Sequence, residues 1–177
     1  MSKTELRIIP ECYVDTKVAE MAGNGYESYD RYNHQHGCGD VARELIKRSS
    51  ISCLGIVDED KNKGPGPKYF LEFTTVKDQN HLLLKKHKER KQYLILIEKW
   101  LLKDAVTVQI NPTDQEYQLP ADLKGLITLS KTRDIINNKR FRAFVAHLLE
   151  KNAPSIMTLR NWIELFKQGQ LDSVFSG

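Results

Sequence analysis

A chain of 177 residues, 40% hydrophobic and 28% charged, can bury one substantial core but not comfortably two independent ones. No apolar run approaches the ~18 residues of a membrane span, and the short apolar stretch before Pro10 is no secretory segment, so the expectation is a cytoplasmic protein with no membrane association. A formal charge of +4 is compatible with a polyanionic partner without requiring one.

Leu6-Arg7-Ile8-Ile9 is a short strand candidate, closed by Pro10 and followed at once by Glu11. Val14, Val18 and Met21, with Ala19 and Ala22 beside them, then make a helical stripe that stops at Gly23 and Gly25. Between Gly25 and Gly39 no period is clean, and the expectation is a loop with a short strand around Arg31 to His34. His34 and His36 could reach one metal from an extended segment, although such pairs more often serve as polar turn residues. Cys12, Cys38 and Cys53 are odd in number and form no Cys-x-x-Cys, which argues against a disulfide framework and a structural zinc site. Gly37-Cys38-Gly39-Asp40 opens a helix with Asp40 as its cap and Val41, Ala42, Leu45 and Ile46 on its apolar face. The glycines there either make a tight turn or leave amides free to meet an anion.

Ile51 to Val57 is uncharged and reads as a fully buried strand that ends abruptly in Asp58-Glu59-Asp60. The order strand, helix, short strand, helix, strand is the mark of a parallel α/β sheet. A Gly/Pro loop carrying Lys61, Lys63 and Lys68 follows. His81 to Leu84 has the length of another strand and runs into a basic block, Lys85-Lys86-His87-Lys88-Glu89-Arg90-Lys91. Lys91 to Lys103 contains no Gly or Pro, and Tyr93, Leu94, Ile97, Trp100 and Leu101 share one helical face, which predicts a helix. Ala105 to Ile110 reads as a short strand. Pro120 is placed to begin a helix with Leu123, Leu126 and Ile127. Two further helical sets, Phe141 to Leu149 and Leu159 to Phe166, are separated by Pro154. The expected organisation is an α/β core over residues 1–110 with a helical C-terminal extension over 111–177.

The chemistry follows from the acids. Asp58 and Asp60 lie on the same side of an extended backbone because side chains alternate with period two. Glu11 ends a strand that should neighbour theirs, so three carboxylates converge at the carboxyl edge of a parallel sheet, where ligands bind in open α/β folds. Such convergence is costly without a cation, and an all-oxygen site suits magnesium or manganese. The bland alternative is a solvated exit from a strand. With a metal on Asp58 and Asp60, Glu11 is the candidate for acid/base work on a phosphodiester. Lys61, Lys63, Lys85, Lys86 and Lys88 are candidate contacts to DNA or RNA, or else solvated surface.

Glu11 at the end of the first strand, Asp15 four residues later, a glycine-containing turn and helix, and a hydrophobic strand ending in Asp58-x-Asp60 together resemble the Toprim domain shared by topoisomerases, primases and OLD-type nucleases. The resemblance spans residues 5 to about 90. It implies a compact, mainly parallel Rossmann-like sheet flanked by helices, a catalytic Glu11, and metal positions at Asp58, Asp60 and Asp15. Cys12 stands where that family commonly has glycine. A nuclease of this kind would act alone or with a separate protein partner. Two alternatives belong to other classes: a phosphatase using the Asp-x-Asp, which leaves Glu11 unexplained, and a non-catalytic nucleic-acid- or protein-binding module whose acids are vestigial.

Overall fold

The computed structural model describes residues 4–24, 31–58, 67–97 and 100–175. Strand β1 (Thr4–Glu5) is followed by β2 (Ile8–Pro10), helix α1 (Tyr13–Asn24), β3 (Arg31–Tyr32), α2 (Cys38–Lys47) and β4 (Cys53–Asp58). Then come β5 (Phe73–Gln79), β6 (Leu82–His87), β7 (Gln92–Ile97), and the helices α3 (Trp100–Thr107), α4 (Leu123–Ser130), α5 (Lys139–Glu150) and α6 (Pro154–Lys167). The main sheet has the order β2-β4-β7-β6-β5; β2, β4 and β7 are parallel, and β6 runs antiparallel to both of its neighbours. β1 and β3 pair in parallel beside it. The chain after β3 continues along β2, donating from Asn33 N to Ile8 O and from Gln35 N to Pro10 O, both at 2.9 Å. The short strand expected near Arg31 therefore exists, and the mixed sheet flanked by helices is an α/β fold.

From β2 the chain crosses through α1 to the β3 side, then returns through α2 to β4 on the other side of β2. The two helices cover opposite faces. Ile8, Leu54 and Ile56 join Val18, Ala19 and Ala22 of α1 in the larger core, whereas Ile9, Cys53 and Val57 pack with Val41 and Leu45 of α2. The β2/β4 boundary is thus a topological switch point, whose carboxyl end is where ligands bind in open α/β sheets. The C-terminal helices complete the larger core: Phe144, Leu159 and Trp162 lie in the same cluster as Ile8, Val18 and Ile95.

Helix α2 is fixed at three places. A Cβ on Gly55 would stand 2.7 Å from Leu94 Cδ2 and 3.1 Å from Val41 Cγ1, so the missing side chain lets the helix lie close on β4. At its C-terminal end, buried Gln92 of β7 donates from Nε2 to Leu45 O at 2.7 Å. At its N-terminal end the Cys38 amide donates to the Glu11 carboxylate. Gly55→Val should overpack this interface and cost about 1–3 kcal/mol, read as a lower midpoint in urea; an unchanged midpoint would mean that α2 can lift off freely.

Several sequence expectations fail for identifiable reasons. Residues 92–97 form a strand and not the first half of a helix. Gln92–Ile97 is buried at every position but Leu96, and a strand covered on both faces has no alternation, so its continuous apolar run also satisfies a helical spacing. Ala105 lies in a helix and not a strand: α3 runs to Thr107, and the turn closes with Gln109 at φ 59° and Ile110 N donating to Ala105 O. Asp40 is not the cap of α2; the helix starts at Cys38 after Gly37, and Asp40 pairs with Arg43 in the first turn. In α4 the cap is Asp122, which accepts from Gly125 N at 2.8 Å, while Pro120 packs against Gly125. Pro154 both ends the turn after α5 and occupies the first turn of α6.

Candidate functional site

Glu11 follows β2 directly, its amide donating to Ile56 O across to β4. Its two carboxylate oxygens hold two other pieces of chain: Oε1 accepts from Cys38 N at 3.0 Å and Oε2 from Asp58 N at 2.9 Å. The anion for the glycine-rich helix N-terminus is therefore the protein's own Glu11, placed where helix dipole and unpaired amides favour negative charge. By the same contacts Glu11 ties the end of β4 to the start of α2 and fixes where Asp58 sits.

Cys12 is the residue before α1 and serves as its cap: its Sγ accepts from the Asp15 amide at 3.4 Å, and its carbonyl accepts from Thr16 N and from Thr16 Oγ1. Cys12 and Asp15, three apart at a helix start, lie on one face. That face meets the end of β4. The Cys12 sulfur, a carboxylate oxygen of Asp15 and one of Asp58 all lie within 4.8 Å of one another. Asp58 is exposed, whereas Asp15 is only 5% exposed and its Oδ2, fully shielded from solvent, has no hydrogen-bond partner. Burial first, then the charges of Asp58 and Glu11, push the Asp15 carboxyl well above the usual carboxylate range, outweighing the favourable contact with Cys12. Burial first, then the charges of Asp15 and Asp58, push the Cys12 thiol up as well, which keeps it protonated when no cation is near.

His34 borders this corner on the β3 side. Its ring stacks on Tyr13 with centroids 4.2 Å apart, His36 meets it edge-on at 4.9 Å, and its Nδ1 lies 2.8 Å from Thr16 Oγ1. Thr16 Oγ1 donates to Cys12 O, so the ring N–H that completes this chain belongs on Nδ1. Burial, then the neighbouring His36, lowers the pKa of His34. No third His, Cys, Asp or Glu joins the two histidines as a metal-ligand group among the described residues.

The site expected from sequence is thus assembled in part. Glu11, Asp15 and Asp58 come together at the carboxyl ends of β2 and β4; Asp60, Lys61 and Lys63 lie outside the described residues. Lys85, Lys86 and Lys88 are not brought to this edge. β6 is antiparallel to β7, and Lys86 pairs with Tyr93, which pairs with Leu54 at the opposite end of β4 from Asp58, roughly 13 Å along the strand. Lys86 is also engaged there, 2.9 Å from Asp172 and over the ring of Phe175. The basic block was adjacent to a strand in sequence, but an antiparallel strand delivers its end to the far edge. Cys12 is the site residue that sequence reasoning passed over; its signal was its place beside Glu11 and one helical turn before Asp15. No family model matches the chain, and comparison with curated proteins and with solved structures likewise finds no match.

Proposed function

We propose that the protein carries out metal-dependent phosphodiester cleavage on DNA or RNA, in the manner of a Toprim-like nuclease. The observation that carries this reading is the meeting of the Asp15 and Asp58 carboxylates at the switch point of the sheet, beside a Glu11 that accepts from the Asp58 amide, with a buried and unpartnered oxygen on Asp15. A carboxylate cluster of this kind fits a magnesium or manganese ion: Asp15 and Asp58, with Asp60 following in sequence, supply hard oxygen donors, and magnesium commonly uses one or two carboxylates and keeps its waters. When bound, the ion would offset negative charge on the phosphoryl oxygens. The chain's own groups do the rest. Asp15 and Asp58 hold the cation. Glu11, oriented by two amides, accepts the proton of the attacking water as the new P–O bond forms and the ester P–O bond breaks, the leaving oxygen taking a proton from solvent. Lys61 and Lys63, which follow the acids in sequence, are the proposed contacts to substrate phosphates.

The second reading is a nucleic-acid- or protein-binding module without catalysis. It is favoured by one contact pattern: each Glu11 oxygen already accepts a backbone amide, which a purely structural clasp would also need. Single- and double-stranded DNA and RNA incubated with the protein in magnesium or manganese separate the two. The enzyme reading expects cleavage of at least one substrate, loss of turnover in Glu11→Gln with the magnesium-induced melting shift retained, and loss of both in Asp58→Asn. Because glutamine can accept only one of the two amides, a melt in chelator must accompany Glu11→Gln to exclude unfolding. A melting shift with magnesium but no cleavage of any substrate would establish the module instead.

A further inference from the structure

We infer that the Asp15/Asp58 corner is a mixed thiolate and carboxylate site for a borderline divalent cation, zinc or cobalt(II) as probes, with Cys12 as a direct ligand. The inference rests on the metal-binding half of the function proposed above and goes beyond it in the ligand set and the class of metal.

Three observations carry it. The first is the donor set: one sulfur and two carboxylate oxygens within 4.8 Å of one another. A tetrahedral zinc site, with Zn–S near ~2.3 Å and Zn–O near ~2.0–2.2 Å, needs its donors roughly 3.5 Å apart, so rotamer adjustments on the order of 1 Å close the set. Three protein donors leave a fourth position open, the arrangement of catalytic zinc sites. The second is Asp15, 5% exposed and carrying an oxygen with neither solvent nor a hydrogen-bond donor. A buried acceptor in that state is unfavourable unless something positive meets it.

The third is the cap itself. The N-cap of α1 is cysteine, whose sulfur takes the Asp15 amide at a long 3.4 Å, where serine, threonine, aspartate or asparagine would stabilise a helix start better. Cysteine forgoes that stabilisation and places a soft donor against two hard ones. Thiolate selects zinc and its neighbours over magnesium, for which a sulfur is a poor ligand. As the metal–sulfur bond forms the S–H bond breaks and its proton passes to solvent. Glu11, already accepting from Cys38 N and Asp58 N, stands beside the set as the group that positions Asp58.

Titration of cobalt(II) and zinc into the full chain tests this, with Cys12→Ser, Cys38→Ser and Asp15→Asn in parallel and a magnesium melting series on each. The parent and Cys38→Ser should develop near-ultraviolet thiolate-to-cobalt absorption that saturates at one equivalent. Cys12→Ser should lose that absorption and bind zinc more weakly by at least the ~10–100-fold that even outer-shell changes cost, while its magnesium shift persists. Serine is the better cap, so this variant should melt no lower than the parent in chelator. Asp15→Asn should weaken both metals. Thiolate absorption that survives in Cys12→Ser, or a parent that shifts with magnesium yet shows no sulfur signal with cobalt, overturns the ligation by Cys12 and leaves the proposed function standing. A parent that responds to none of the three cations overturns both.

Discussion

Asp104→Ala should unfold the protein at a temperature roughly 10 °C lower than the parent, the largest stability loss expected of any single change outside the hydrophobic core. Asp104 lies on α3 and is 2% exposed. Its Oδ1 accepts from Ser155 N at 3.0 Å and Ser155 Oγ at 2.7 Å, and its Oδ2 accepts from Ile156 N at 2.9 Å. Helix α6 has no cap from its own N-cap residue, since Ala153 has no side-chain acceptor and Pro154 opens the helix. Asp104 thus caps it from another helix, with its charge near the positive end of the dipole. Alanine leaves two buried amides and a hydroxyl without an acceptor, at a cost of about 3–5 kcal/mol, and each kcal/mol moves the midpoint by about 2–4 °C in a domain of this size. Asp104→Asn, keeping one acceptor, should fall between. Hydrogen exchange at the Ser155 and Ile156 amides should accelerate before that of the sheet. A loss below 1 kcal/mol would show that solvent replaces the cap at no cost. The effect reaches the candidate site, because α6 packs along α1, with Ile163 against Gly23, and α1 carries Asp15.

How much of this was legible depended on whether local pattern and tertiary environment agreed. α1, α2, α5 and α6 were readable because one apolar stripe faces one core; Phe141, Phe144, Val145, Leu148 and Leu149 are all buried at the spacing the sequence displays, while in α2 Val41, Ala42 and Leu45 are buried and Ile46, expected on the same face, is exposed. β4 was readable from Cys53 onward because its apolar run ends abruptly in acids, whereas Ile51, counted in the same buried run, lies before the strand and is 42% exposed. β7 was not, since burial on both faces removes the alternation that tells a strand from a helix. The edge assignment of Glu11 and Asp58 followed from parallel order alone, whereas the fate of Lys85, Lys86 and Lys88 turned on the antiparallel hairpin that precedes β7, and strand direction is not written in a basic block. The clasp made by Glu11 depends on two amides distant in sequence. Only the folded chain brings them to one carboxylate. Asp104 was invisible for the same reason: a cap supplied from another helix has no local spacing.

Asp15→Asn should give opposite results with and without metal, and that reversal is the most direct measure of what the buried carboxyl is for. In chelator at neutral pH the variant should melt higher than the parent, by on the order of 1 kcal/mol or more, about 2–4 °C. The sign follows from the raised carboxyl, held up first by burial and then by the charges of Asp58 and Glu11. A group whose folded pKa exceeds its unfolded value of ~3.9 favours the fold below that value, and the benefit is lost as pH rises toward the folded pKa. The advantage of asparagine should therefore be absent near pH 3, grow from about pH 4 upward, and level off once the folded carboxyl ionises. With saturating magnesium or zinc the order should invert. The parent gains RT ln(1 + [L]/Kd), about 2.7 kcal/mol at a hundredfold excess over Kd, while the variant has lost one of the donors and gains far less. Turnover on any nucleic-acid substrate should vanish with it. Parallel pH profiles for the two proteins in chelator would mean that Asp15 is not destabilising; an equal metal shift in both would mean that the cation sits elsewhere. If the order inverts, the strain at Asp15 and the affinity for the cation are two measurements of one arrangement, a carboxylate kept from water so that a positive charge can satisfy it.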